Sequence, residues 1–161
     1  MDKLNQWLQL LAAVSVLIGL IFVGVELGQN ARATEAQTKS QISIAYSNFM
    51  DSVRNDEATL NAFKKRGAKE TLDYYDELRL ALIYSSLLKL AENAFYQHRQ
   101  GFYASEEFAG ELNQLRAVIA SAPHFKKWWM LRQNDFSPAF RTEFEVLVDA
   151  TSNGQEPFFK D

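Results

Sequence analysis

The chain has 161 residues, 47% of them hydrophobic and 23% charged, with a net charge of −3 and no cysteine. That balance lacks the clustered Lys and Arg that neutralise phosphates, so nucleic acid is excluded as a partner. Disulfides, thiolate metal centres and cysteine nucleophiles are excluded too, while either redox compartment remains compatible.

The first element is an apolar helix. Residues Leu10 to Val25 carry no charge and only Ser15 as a polar interruption. With Leu4, Trp7 and Leu27 the apolar span reaches roughly twenty residues, enough for a ~30 Å hydrocarbon core. This predicts a transmembrane anchor over residues 1–29. The rival is a cleaved secretory signal, because Ala31-Arg32-Ala33 resembles an A-x-A site. Two features weigh against it: Lys3 is offset by Asp2, and the apolar run is at or above the top of the ~7–15-residue range of signal h-regions. Lys3 on one side and Arg32 and Lys39 on the other give little positive-inside asymmetry. The side of the soluble domain is therefore undetermined, with a slight balance toward the cytoplasm.

Within the span, Gly24 and Gly28 are four residues apart, and Ala12, Ser15 and Gly19 form a second small-residue stripe on roughly the opposite side. Two such faces fit two neighbours, as in a ring or bundle; the plain alternative is the general frequency of glycine in membrane helices. Glu26 closes the apolar run. It is either an interfacial carboxylate reaching water or a polar group facing a bundle axis, since ionisable groups at membrane depth are costly and usually functional.

Residues 30–150 read as one helical bundle domain, opened by a juxtamembrane helix over 30–55 with Ile42, Ala45, Phe49, Met50 and Val53 at helical spacing. Its first part, Gln29 to Gln41, is polar. Asp56 is an N-cap for a short helix, Glu57 to Arg66, expected to face Leu60 and Phe63 inward and to stop at Gly67. Lys64, Lys65, Arg66 and Lys69 cluster at that stop, complementing the helix dipole or meeting anionic headgroups. The longest soluble helix is predicted from Asp73 to Gln100, before Gly101. Its apolar residues, including Leu78, Leu80, Leu82, Leu87, Leu88 and Phe95, cover more than one stripe, as expected of a helix central in a bundle or covered by another subunit.

Ser105 is the predicted cap of the next helix, with Phe108, Leu112, Leu115, Val118 and Ile119 inward. Pro123 is expected to open a short helix carrying Phe125, Trp128 and Trp129, and Ser137-Pro138 a last helix burying Phe140, Phe144, Leu147 and Val148. Residues 151–161 form an aperiodic tail whose Pro157-Phe158-Phe159 packs back on the domain or stays mobile.

The chemistry of known sites is sparse. His98 and His124 fall on different predicted helices without metal-ligand spacing, and no nucleophile elbow, P-loop or dinucleotide fingerprint occurs. No metal, cofactor or enzymatic activity is expected. His98 continues the apolar side of its helix and is read as half-buried with a hydrogen-bond partner. Arg99 is expected to fix the loop after Gly101. Trp128 and Trp129 point about 100° apart, so either both close the core or one is exposed beside Lys126, Lys127 and Arg132 as an interaction surface.

The segments GLIFVGVELGQN, FYQHRQGFY, PHFKKWW and FSPAFRTEF resemble a broad set of uncharacterised bacterial single-pass membrane proteins with an N-terminal transmembrane helix and a C-terminal all-helical domain. The resemblance implies a bacterial inner-membrane setting and architecture, and transfers no catalytic or binding residue. The combined expectation is an all-α protein, one N-terminal transmembrane helix followed by a multi-helix bundle. It sits in the lipid bilayer and assembles as a homo-oligomer serving as scaffold, sensor or interaction module. The alternatives are an oligomeric pore lined by the N-terminal helix, or an anchor that docks another membrane protein.

Overall fold

The computed structural model describes residues 2–122 and 124–152. Among them lie six α-helices, one short 3-10 turn and no strand: α1 (Asp2–Arg54), α2 (Glu57–Gly67), α3 (Tyr74–Arg99), α4 (Ser105–Ser121), α5 (Phe125–Arg132), the turn Gln133–Asp135, and α6 (Pro138–Ser152). The chain divides into two units, Met1–Gln37 and Thr38–Asp161. The change of composition read from the sequence falls earlier, between residues 29 and 30. Pro157-Phe158-Phe159 and the helix-opening role of Pro123 lie outside the described residues.

The first unit is helical throughout its described residues and buries none of its side chains from Lys3 to Gln37. Its apolar window has a mean hydropathy of 2.6, long and apolar enough to cross a membrane.

The second unit holds the whole core, which is drawn from α1 at Ile42 through to Val148 on α6. Local chemistry sets its helix starts. Asp56 accepts from the Ala58 amide (3.2 Å) and the Thr59 hydroxyl (2.6 Å) and so caps α2. At α3 a reciprocal capping box joins Asp73 and Asp76: the Asp76 amide donates to Asp73 Oδ1 at 2.8 Å and the Asp73 amide to Asp76 Oδ2 at 3.3 Å. The α6 start uses Ser137, whose Oγ accepts from the Phe140 amide at 3.4 Å, with Pro138 at the first helical position.

Helix ends follow the left-handed rule in one case and break it in the other. Gly101 takes φ +77°, letting the Phe102 amide reach back to Gln97 O at 3.0 Å. After α2 the left-handed residue is Lys69 (φ 56°), not Gly67, which is the last helical residue. The Glu70 amide then bonds to Lys65 O at 2.9 Å.

Packing corrects several facings. On α2 the buried residues are Thr59 and Ala62, whereas Leu60 is 44% exposed and Phe63 only half-buried. On α1, Met50 is exposed and Tyr46 packs against the core instead. Ser105 is inside α4 and Ala104 occupies the cap position, making no side-chain cap bond. Residues Thr151 and Ser152 extend α6 into the expected tail. Arg99 lies over the Phe95 ring (5.7 Å), and the turn after α3 is held by backbone bonds and by His98.

Aromatic side chains dominate the centre. Phe144 meets Trp129 at 4.7 Å, Phe140 at 5.4 Å and Phe125 at 6.1 Å between centroids, and Phe95 meets Phe140 at 5.7 Å. These are separations at which ring pairs add to simple area burial. A polar clamp ties α3 to the start of α6: Glu92 accepts from the Ser137 amide (2.6 Å) and Lys89 Nζ (2.7 Å), and Lys89 also donates to Asp135 O at 2.8 Å. Burial opposes ionisation of Glu92, yet the bonds from Lys89 and Ser137 hold its carboxyl below the usual range.

Candidate functional site

Four groups of residues bear on function. The first is the apolar part of α1. Ala12, Ser15, Gly19, Gly24, Glu26 and Gly28 are all exposed, and a side chain added at any of the three glycines would meet open space. The Ser15 hydroxyl donates to Leu11 O at 2.8 Å, so it is satisfied within its own helix. Chemically this surface offers close backbone approach to a neighbour and apolar contact to lipid.

The second group is α5. Here both tryptophans pack on the core, on different neighbours, and neither is left exposed. Trp129 is 3% exposed and packs on Phe136 and Phe144, which removes it from the surface. Trp128 is half-buried between Tyr84 (5.6 Å) and Phe125 (5.5 Å), with its indole nitrogen buried and without a hydrogen-bond partner. Lys126, Lys127 and Arg132 are exposed; Lys126 pairs with Asp149 at 3.5 Å and Arg132 with Asp135 at 2.7 Å. The prominent apolar residues outside are Met130 and Leu131, the latter 75% exposed. Neither was singled out from the sequence, because a helix only two turns long gives too little periodicity to fix its buried face.

The third group is the outer face of α3. Tyr75, Leu78 and Leu82 stand at i, i+3 and i+7 and are all exposed, Leu82 at 58%. They form a stripe separate from the buried side made by Leu80, Tyr84, Leu87, Leu88, Ala91 and Phe95. The basic cluster at the end of α2 turns toward the start of this helix: Lys65 donates to Asp76 Oδ2 at 2.7 Å and Arg66 lies 3.4 Å from Glu77. The Lys65 ammonium holds the Asp76 carboxyl below the usual range, and the lysine is raised in turn.

The fourth group was not singled out from the sequence. Tyr103 donates to Glu111 Oε1 at 3.2 Å, and the Tyr46 hydroxyl is buried without a hydrogen-bonded partner while feeling the Glu111 carboxylate. Burial pushes the Glu111 carboxyl up, only partly offset by the two tyrosines. Burial and then Glu111 push the Tyr103 phenol up to about 12, and the same two causes raise Tyr46 further. The available signal was a carboxylate at helical spacing between Phe108 and Leu115 on the apolar face of α4. Beside it, His98 is half-buried as expected; its ring stacks on Phe108 at 4.7 Å and Nδ1 contacts Tyr103 O at 3.0 Å, which requires that nitrogen to donate. No protein family, curated protein or solved structure matches this chain.

Proposed function

We propose that this chain is a single-pass bacterial inner-membrane protein whose helical domain assembles copies of itself, serving as a non-catalytic scaffold, sensor or interaction module. The observation that carries the reading is the outer stripe of α3, Tyr75, Leu78 and Leu82, left uncovered on a helix whose other side already fills the core. A contiguous apolar face of this kind marks an association surface, and on a helix it is self-complementary under a two-fold axis. The small residues Ala12, Gly19, Gly24 and Gly28 add a second route to self-association within the bilayer. The apolar length of α1 and the resemblance to bacterial membrane proteins of the same layout support this setting. The pore alternative draws no support from Ser15, whose hydroxyl is turned back on Leu11.

Native mass spectrometry of the full-length chain in lipid discs tests this reading. The expected result is one closed oligomer that survives dilution, converted to smaller species by Leu78→Asp with Leu82→Asp while the thermal melt is retained, since both residues lie outside the core. A wild-type monomer would overturn self-assembly and direct the search to a different membrane protein as partner.

A further inference from the structure

The second unit contains a cavity of about 440 Å³ walled by residues from α1, α2, α3 and α4, within the ~300–1,000 Å³ range of small-molecule sites. Phe49, Phe63, Ile83, Tyr84 and Leu87 supply apolar walls, and Tyr46 and Glu111 supply polar atoms among them. Glu111 is the anomaly. Among the described residues its side chain takes part in no ion pair, and its polar neighbours are two neutral phenols, Tyr103, which donates to it at 3.2 Å, and Tyr46.

A carboxylate among apolar walls without a cation is costly unless something pairs with it. An anionic ligand would meet repulsion there, and a pure hydrocarbon would desolvate the carboxylate further without compensation. A cation on an apolar body satisfies both parts of the lining. Its charge faces Glu111 and the electron-rich rings of Tyr46 and Tyr84, while its body lies on Phe49, Phe63 and Leu87.

We infer that this cavity is a binding site for a lipophilic monocation, an alkyl- or arylammonium of roughly ten to fifteen heavy atoms, with Glu111 as its counter-ion. The site stands whether or not the chain self-associates.

The test uses the full-length chain in zwitterionic lipid discs titrated with 4-phenylbutylammonium, with protein-free discs as the partition background. Methyl NMR signals of Met50, Ile83 and Val118 locate the ligand, and calorimetry gives affinity. Saturable binding that shifts these methyls is expected, weakened about tenfold or more by Glu111→Gln. The neutral 4-phenylbutanol should bind wild type more weakly and be indifferent to that substitution. Should the variant fold poorly, acidification of wild type replaces it: amine binding should fall as Glu111 protonates, with Tyr46 and Tyr103 too high to titrate, while alcohol binding holds. Equal affinity for amine and alcohol, amine affinity indifferent to both Glu111→Gln and acid, or signals no greater than in protein-free discs would overturn the assignment.

Discussion

At the scale of single residues, two positions carry backbone or electrostatic tension. Lys69 holds φ 56° after α2, a conformation that costs a side-chain-bearing residue about 1 kcal/mol or more relative to glycine. Lys69→Gly is therefore expected to raise stability by up to about 1 kcal/mol in chemical denaturation, whereas Gly101→Ala, at φ +77°, should lower it by a similar amount. Glu111 and Asp76 give opposite pH dependences. The Glu111 carboxyl is raised in the folded state, so its contribution is fully present below the unfolded value of ~4.3 and is lost as pH rises through the folded value. Asp76 is depressed by Lys65, and its contribution is present above the ordinary carboxylate range and lost as pH falls through the depressed value. Glu111→Gln should consequently melt above wild type at neutral pH, with the gap closing on acidification; a constant gap across pH would contradict the assigned burial effect.

At the scale of elements, α2 is the informative case. Its amphipathic pattern pointed to Leu60 and Phe63; Phe63 does pack against the core, but Leu60 is exposed and the buried residues are Thr59 and Ala62, the latter 0% exposed. The Thr59 hydroxyl is satisfied by Asp56, so a polar residue is buried there without an open hydrogen bond. Ala62→Leu is expected to destabilise by about 1–3 kcal/mol through overpacking. Leu60→Ala should stay within about 0.5 kcal/mol, as for other exposed sites. Parallel denaturation of the two variants measures which face is buried, and a larger loss at Leu60 would reverse the assignment.

At the scale of the whole molecule, every buried hydrophobic among the described residues lies at Ile42 or beyond, and the apolar window of α1 contributes none. A chain beginning at Thr38 is therefore expected to retain its helical circular dichroism and a cooperative thermal melt. A broad, non-cooperative transition would show that the N-terminal segment takes part in the fold. Among the described residues, the exposed large hydrophobics include those of α1, the outer stripe of α3 and the Met130-Leu131 pair, the surfaces on which the proposed assembly rests.

Helix content, the order of the elements and the starts at Asp56, Asp73 and Ser137 were legible from the sequence, because capping and 3.6-residue periodicity are local physics acting within a few residues. So was the inward set Phe140, Phe144, Leu147 and Val148 of α6, whose apolar residues leave one choice of face. Only tertiary structure decided the rest. It packed both Trp128 and Trp129 on the core, set Ala62 rather than Leu60 against it, left Leu78 and Leu82 outside, and brought Tyr46 of α1 to Tyr103 and Glu111. Those outcomes depend on which helix comes to lie against which, and a residue's own neighbours in sequence carry no record of that.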